Sequence, residues 1–240
     1  MAEALRYLHH PPRDASISQL QDGRHPSQRR LAFEELLAHN LALQELRRET
    51  QRAGAPALNG PSAIQKAFLN QLGFTLTGAQ KRVAAEIAKD LRSEIPMLRL
   101  VQGDVGSGKT AVAALAALRA ISSGYQVAIM APTEILAEQH YQNFSDWLEP
   151  LGLNVAWLTG KLKGKARQVQ NDAIANHDAH LAVGTHALFQ ADVEFAKLGL
   201  VIIDEQHRFG VHQRLALKQK AAATPPSGHD RLCRPRYLRY

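Results

Sequence analysis

In the stretch VQGDVGSGKT, Val101 to Thr110, three glycines, a lysine and a threonine stand between two apolar runs. Gly103, Gly108, Lys109 and Thr110 fit the spacing G-x-x-x-x-G-K-[ST], with a strand pattern before it and a helical one after it, which is the context this motif requires. Glycines at 103, 106 and 108 lack the β-carbon that penalises positive φ, so successive backbone N–H groups can turn inward as an anion cradle. The following helix adds its unpaired N-terminal donors and the positive end of its dipole. Lys109 can reach the β and γ phosphates of a nucleotide, and the Thr110 hydroxyl can ligate Mg²⁺. The whole loop, Gly103, Asp104, Val105, Gly106, Ser107, Gly108, Lys109 and Thr110, is therefore the expected ATP-binding element. The competing reading is a chance glycine turn before a helix.

A Mg²⁺ ion takes few protein ligands and holds them tightly octahedral, so such a loop needs an acid from a neighbouring strand. The stretch LGLVIIDEQHRFG supplies it. Leu198 to Ile203 are apolar apart from Gly199, and they run into Asp204 and Glu205. Two carboxylates then stand at the carboxyl end of a buried strand, where α/β sheets bind ligands. Asp204 would hold the metal directly or through water, and Glu205 would polarise the attacking water. The catalytic set is then Lys109, Asp204 and Glu205. A solvated acidic strand end is the plainer alternative.

These groups need a scaffold to hold them. Short β-type runs at 97–102, 126–130, 154–158, 180–183 and 198–203 alternate with helical patterns, among them 110–122 and 134–148. Alternation with near-continuous apolar strands implies a parallel sheet covered on both faces, because parallel strands need crossover helices. Residues 110–122 are nearly all Ala, Leu, Val and Ile, so this helix should be buried on most sides. Ahead of the sheet, Ser62 can cap a short helix ending at Gly73, and Thr77 can cap a second that carries Val83, Ile87 and Leu91 on one face. From Ser27 to Ala53, Phe33, Leu37 and Leu41 recur at four-residue steps, which predicts one long amphipathic helix, either a surface helix or an interdomain connector. Residues 1–26 hold Pro11, Pro12, Gly23 and Pro26 and no sustained period, so they read as irregular.

With 240 residues and 45% hydrophobic content, the chain can bury a proper core. Its single cysteine, Cys233, cannot form an internal disulfide, and the longest apolar run, Ala111 to Leu118, is far too short to span a bilayer. A soluble, cytoplasmic protein with no membrane association is expected. The net charge of +7 divides as +1 over residues 1–60, +3 over 61–220 and +3 over the last twenty. Nearly half the excess sits in that tail, so bulk charge argues only weakly for a polyanionic partner. Lys161, Lys163, Lys165 and Arg167 form the one acid-free basic cluster in the body of the chain, which fits phosphate attraction and a plain solvated loop equally well. The eleven histidines show no metal-ligand spacing.

The stretches GDVGSGKT, APTEILAEQH, VGTHAL and DEQHRFGVHQR together resemble the first motor lobe of the superfamily 2 DNA helicases, and among them the bacterial RecG helicases, from about Leu5 to Lys220. The resemblance implies an α/β fold: a RecA-like parallel sheet flanked by helices, a P-loop NTPase lobe at 61–220, preceded by a helical connector over 1–60. The stretches EALRYLHHPP and RRLAFEELLAHN resemble that connector, and FTLTGAQKRV resembles the segment in which Phe74 would stack on adenine and Gln80 would bind it through its amide. By the same resemblance, Thr133, Thr159, Gly160, Thr185 and His186 lie where the lobe grips the DNA backbone. Hydroxyls and N–H groups that bond phosphates without reading bases suit a motor that must move over any sequence. Gln206 and His207 would couple ATP to DNA. The transcription-repair coupling factors are similar, but usually carry Glu where this chain has Gln206.

What the resemblance implies for function is an ATP- and Mg²⁺-dependent helicase acting, as a monomer, on branched or forked DNA in repair and recombination, in the bacterial cytoplasm at the nucleoid. The family would continue after Lys220 into a strand and a Thr-Ala-Thr box, then a second lobe whose arginine stabilises charge on the transferring phosphate. Here residues 221–240 show no apolar period and four arginines, so a non-native or disordered tail is expected. Two alternatives stay open beside a truncated helicase: an incomplete nucleotide-binding module without hydrolysis, and a coupling-factor-like translocase. A small-molecule kinase with the same loop lacks a substrate lid and conflicts with the DEQH box.

Overall fold

The structure, a computed structural model, describes residues 1–15, 17–52, 54–104, 106–205 and 236–239. It divides into two compact units, Met1–Arg52 and Ala53–Tyr240. The first holds α1 (Ala2–His9), α2 (Ile17–Gln21) and the long α3 (Pro26–Arg52). The irregular lead-in expected over residues 1–26 is not found, because good helix formers fill Ala2–Leu8 and Pro11 and Pro12 only end α1 rather than prevent it. Ala4 is buried, the Tyr7 ring stacks on His25 at 4.2 Å, and the Gln28 side-chain amide donates to the Leu20 carbonyl at 2.9 Å.

In the second unit, α4 (Ala63–Gln71) and α5 (Gly78–Arg92) precede β1 (Leu98–Leu100), α6 (Lys109–Ser122), β2 (Gln126–Met130), α7 (Glu134–Leu148), β3 (Val155–Leu158), α8 (Gly164–Ala175), β4 (Leu181–Gly184), β5 (Leu198–Ile203) and β6 (Arg236–Arg239). Residues 55–60 belong with this unit. The Ala55 and Leu58 N–H groups donate to the Glu94 and Leu91 carbonyls at 2.8 Å, and Leu58 is fully buried. The division therefore falls eight residues before the boundary expected at residue 60. Ser62 precedes α4 without a side-chain cap bond. Thr77 caps α5 in a reciprocal box with Gln80, so the S/T-x-x-E/Q spacing at 77–80 fixes where this helix starts.

The sheet is all parallel, in the order β1-β6-β5-β2-β4-β3. Strand side chains alternate between faces. Val127, Ile129, Leu200, Ile202 and Leu238 join the cluster built around α6, whose residues Ala111 to Ile121 are all buried. Ala128, Met130, Val201 and Ile203 pack on the opposite face. Burial on both faces is why these strands read as unbroken apolar runs.

The tail expected to be disordered takes strand form at Arg236–Arg239, paired to β1 on one side and β5 on the other. Two parallel neighbours offer backbone partners on both edges, and Tyr237 and Leu238 place their side chains on opposite faces, Leu238 fully buried. A period-2 pattern over so few residues is too short to read beforehand. The rest of that segment, 221–235 and Tyr240, lies outside the described residues.

Candidate functional site

Pairing places Leu100, Arg239, Ile203, Met130, Gly184 and Leu158 in one row across the sheet, at the carboxyl ends of six neighbouring strands. Residues that follow this row include those singled out by chemistry, in the glycine loop and at Asp204, and those implied by the resemblance, Thr133, Thr159 and Thr185. The glycine loop follows β1, Asp204 follows β5, Thr133 follows β2 by three residues, Thr185 follows β4 and Thr159 follows β3. Only β6 separates β1 from β5, so the roots of the loop and of Asp204 are about 10 Å apart in the sheet.

In the loop, Gly106 and Gly108 take φ of 80° and 75°, the left-handed region that glycine adopts without penalty. A β-carbon on Gly108 would also meet the Gln80 side-chain amide. The loop is closed on itself. The Lys109 ammonium donates to the carbonyls of Gly103 (2.6 Å) and Asp104 (2.9 Å), and the Gln80 Nε2 donates to the Ser107 carbonyl at 2.8 Å while its Oε1 accepts the Thr77 N–H at 2.7 Å. Both ends of the amide assigned to adenine are thus engaged by the protein. Phe74 is half exposed. Lys109 opens α6, and Thr110 is half-buried in its first turn. Val105 lies outside the described residues.

Asp204 is buried, its N–H still donating to the Met130 carbonyl at 2.9 Å. Its Oδ2 meets the His140 Nε2 at 2.7 Å, while Oδ1 takes no hydrogen bond from a described residue. A carboxylate has no proton to give, so the imidazole N–H is the donor. His140 had no role in the sequence reading. The available signal was its place in the inward stripe Ala137, His140, Phe144 and Leu148 of α7, where a polar side chain needs a polar partner. Glu205 has φ of 48°, a left-handed conformation unusual for a side chain of this kind. Gln206 and His207 lie outside the described residues. Thr110 and Asp204 present oxygen donors only, the hard set that suits Mg²⁺, and the described residues contain no cluster of three or more His, Cys, Asp or Glu that would instead cage a metal entirely with protein.

Further along the edge, Thr133 is exposed and its hydroxyl accepts the Leu136 N–H as the N-cap of α7. Gly160 and His186 are exposed, whereas Thr159 and Thr185 are buried. The basic cluster is partly committed elsewhere. Lys161 pairs with Glu134, which raises the lysine's affinity for its proton, and this bridge ties the β3 loop to the start of α7. Arg167 on α8 donates through Nε and Nη2 to both oxygens of Asp192 at 2.8 and 3.2 Å, through Nη2 also to Gln190 Oε1 at 2.8 Å, and weakly through Nη1 to the Thr159 carbonyl at 3.5 Å. Its side chain is 16% exposed, so of the cluster that fitted phosphate attraction and a solvated loop equally well, this arginine is a strut between the β3 loop and the segment after β4.

The helicase family described as DEAD/DEAH box matches residues 77–232, about two thirds of the sequence. The chain belongs to the DEAD/DEAH box helicase family. Within that family it is 60% identical over 220 residues to the ATP-dependent DNA helicase RecG of Pasteurella multocida and likewise to that of Escherichia coli K12, alignments that cover 92% of this chain and 32% of each relative. The chain thus spans about a third of the length of these relatives. A solved RecG bound to a three-way DNA junction superposes with a TM-score of 0.74 at 39% identity, over 89% of this chain and 27% of that one. A hypothetical ATP-dependent RNA helicase from Sulfolobus tokodaii, at 19% identity and a TM-score of 0.55 over 75% of this chain and 50% of its own, shares the fold. The RecA-like parallel sheet expected from the sequence is the architecture observed, and this DEAD/DEAH box lobe shows no described helix long and apolar enough to cross a membrane.

Proposed function

We propose that this chain is the ATP-binding motor lobe of a RecG-type DNA helicase, acting on branched DNA such as stalled forks and recombination junctions. The observation that carries the reading is the single row of strand ends, which brings the glycine loop, Asp204 and the three threonine loops to one edge of one sheet. The likeness to RecG, one example of which was solved on a three-way junction, supports the DNA substrate.

In this reading the loop N–H groups and the α6 N-terminus cradle the β and γ phosphates. Lys109 exchanges the Gly103 and Asp104 carbonyls for phosphate oxygens, and Gln80 releases Ser107 to bind adenine beside Phe74. Thr110 and Asp204 hold Mg²⁺, which, once bound, neutralises charge on the transferring phosphate. Glu205 orients the attacking water and accepts its proton. Thr133, Gly160 and His186 are exposed where DNA phosphates would lie, and Thr159 and Thr185 act through their backbone. Gln206 and His207 follow directly on the acids and couple the two ends. The protein works as a monomer in the bacterial cytoplasm at the nucleoid.

The 240-residue chain by itself should bind Mg-ATP weakly, since a nucleotide must displace three hydrogen bonds that now close the loop. Titration with a fluorescent ATP analogue in Mg²⁺ is expected to saturate for the unaltered chain and to fail for Lys109→Ala. Steady turnover on a forked duplex should be negligible for the chain alone. Binding that survives Lys109→Ala would overturn the assignment of the loop. Fork-stimulated turnover that disappears in Lys109→Ala would overturn only the expectation that this lobe is inactive alone.

A further inference from the structure

We infer that His140 is the positioning residue for the metal-holding carboxylate, a role that rests on the nucleotide-binding reading above and deepens it. The bond from His140 Nε2 to Asp204 Oδ2 is 2.7 Å, and both residues are buried. An aspartate has a broad, roughly two-fold torsion about its carboxyl, so an unrestrained carboxylate at the end of β5 would swing between orientations. One strong, charge-assisted donor stops that motion. It holds Oδ2 and leaves Oδ1, which no described residue engages, as the oxygen for the ion.

The position of His140 follows from the fold. Helix α7 starts four residues after the end of β2, the strand next to β5, and Ala137, His140 and Phe144 lie in its buried stripe. The imidazole therefore approaches Asp204 from a helix anchored by apolar packing, while the Asp204 N–H is tied to Met130 in β2 itself. Both sides of the pair hang from the same strand, which keeps their distance constant when loops move. In this role the imidazole acts through Asp204. Partners of this kind set ligand orientation and basicity, and their loss typically weakens metal binding about 10- to 100-fold.

The test uses the 240-residue chain with Mn²⁺ in place of Mg²⁺, read by electron paramagnetic resonance in the presence of a non-hydrolysable ATP analogue. His140→Met keeps much of the volume and removes the donor; His140→Gln returns an N–H near the Nε2 position. Loss of about tenfold or more in nucleotide-dependent Mn²⁺ affinity is expected for His140→Met, with substantial recovery in His140→Gln. Metal-free binding of the same analogue in EDTA should not change. Thermal midpoints separate folding from positioning, since a purely structural histidine would lower both variants' midpoints without distinguishing metal from nucleotide. Equal Mn²⁺ affinity in the unaltered chain and His140→Met, both folded, would overturn the inference and leave the nucleotide-binding reading standing. An unaltered chain that takes up no Mn²⁺ with nucleotide would overturn that reading and this one together.

Discussion

Replacing Arg167 with Met should loosen the threonine edge of the sheet by an amount the structure allows to be estimated. The guanidinium spans both oxygens of Asp192 and adds a bond to Gln190, with Arg167 16% and Asp192 50% exposed. Fully exposed pairs contribute about 0.2–1 kcal/mol, and hydrogen bonds to charged groups about 1.5–3 kcal/mol. A bidentate pair with one partner half-buried, and a further bond to Gln190, stands at the lower end of the second range. Asp192 also keeps its contact from Asn171 Nδ2 at 3.3 Å, so it is not orphaned by the change. Met preserves the apolar stem, which leaves a loss of about 1.5–2 kcal/mol, or about 3–8 °C in the melting midpoint of a unit of this size. A double-mutant cycle with Asp192→Asn at pH 7 should return a coupling of about 1 kcal/mol.

The pH dependence of that loss checks its cause. The hydrogen bonds from Arg167, more than any other influence, hold the Asp192 carboxyl below its ordinary range. A depressed carboxylate contributes fully above its unfolded value near 3.9 and loses that contribution only as pH falls through the lower folded one. The penalty of Arg167→Met should therefore stay flat between pH 7 and pH 5, read by chemical denaturation. A coupling indistinguishable from zero, or a penalty that already shrinks across this window, would refute the strut.

Two other perturbations probe the frame under the same edge. Burial, with His177 adding like charge, pushes the His180 imidazole below its usual range, and His180 Nδ1 accepts the Asn154 N–H at 3.1 Å. Protonation must break that acceptor, and the folded state binds fewer protons than the unfolded one, so this contribution is full above about pH 6.5 and falls as pH drops below it. Urea midpoints at pH 7.5 and 5.5 should converge more closely in His180→Gln than in the unaltered chain; equal slopes would count against the burial argument. At Gly184, a β-carbon would overlap the Leu158 carbonyl of the adjacent strand and approach Leu188 at 3.1 Å. Gly184→Ala should cost about 3 kcal/mol or more by forcing β3 and β4 apart, whereas Gly73→Ala, with nothing within 4 Å, should stay within about 0.5 kcal/mol. Similar midpoints for the two alanine variants would show that the strand contact relaxes freely.

What could be read from the sequence and what could not divides along the range of the interactions. Gly103 to Thr110 and Leu198 to Glu205 announce themselves because the chemistry and its flanking strand and helix lie within a dozen residues of one another. The capping box at Thr77 and Gln80 is local in the same sense, and the helix it starts is where it was expected. Helix α1 escaped because Pro11 and Pro12 dominate the composition of its neighbourhood while the eight residues before them are ordinary helix formers. Strand β6 escaped because its four residues become a strand only when β1 and β5 flank them.

The side-chain pairings missed in sequence share a different cause. His140 stands 64 positions from Asp204, and Arg167 stands 25 from Asp192. In both cases a charged or polar side chain was visible, but its partner is set by strand order, and that order is a property of the whole sheet. With β2 between β5 and β4, helix α7 is the element that starts at the threonine edge with Thr133 and Glu134 and carries His140 back to Asp204. The sheet order therefore makes one helix common to two adjacent strand ends, those of β2 and β5. If Thr133 contacts DNA and Asp204 holds the metal as proposed, a displacement of Thr133 would be carried to Asp204 through about two turns of helix.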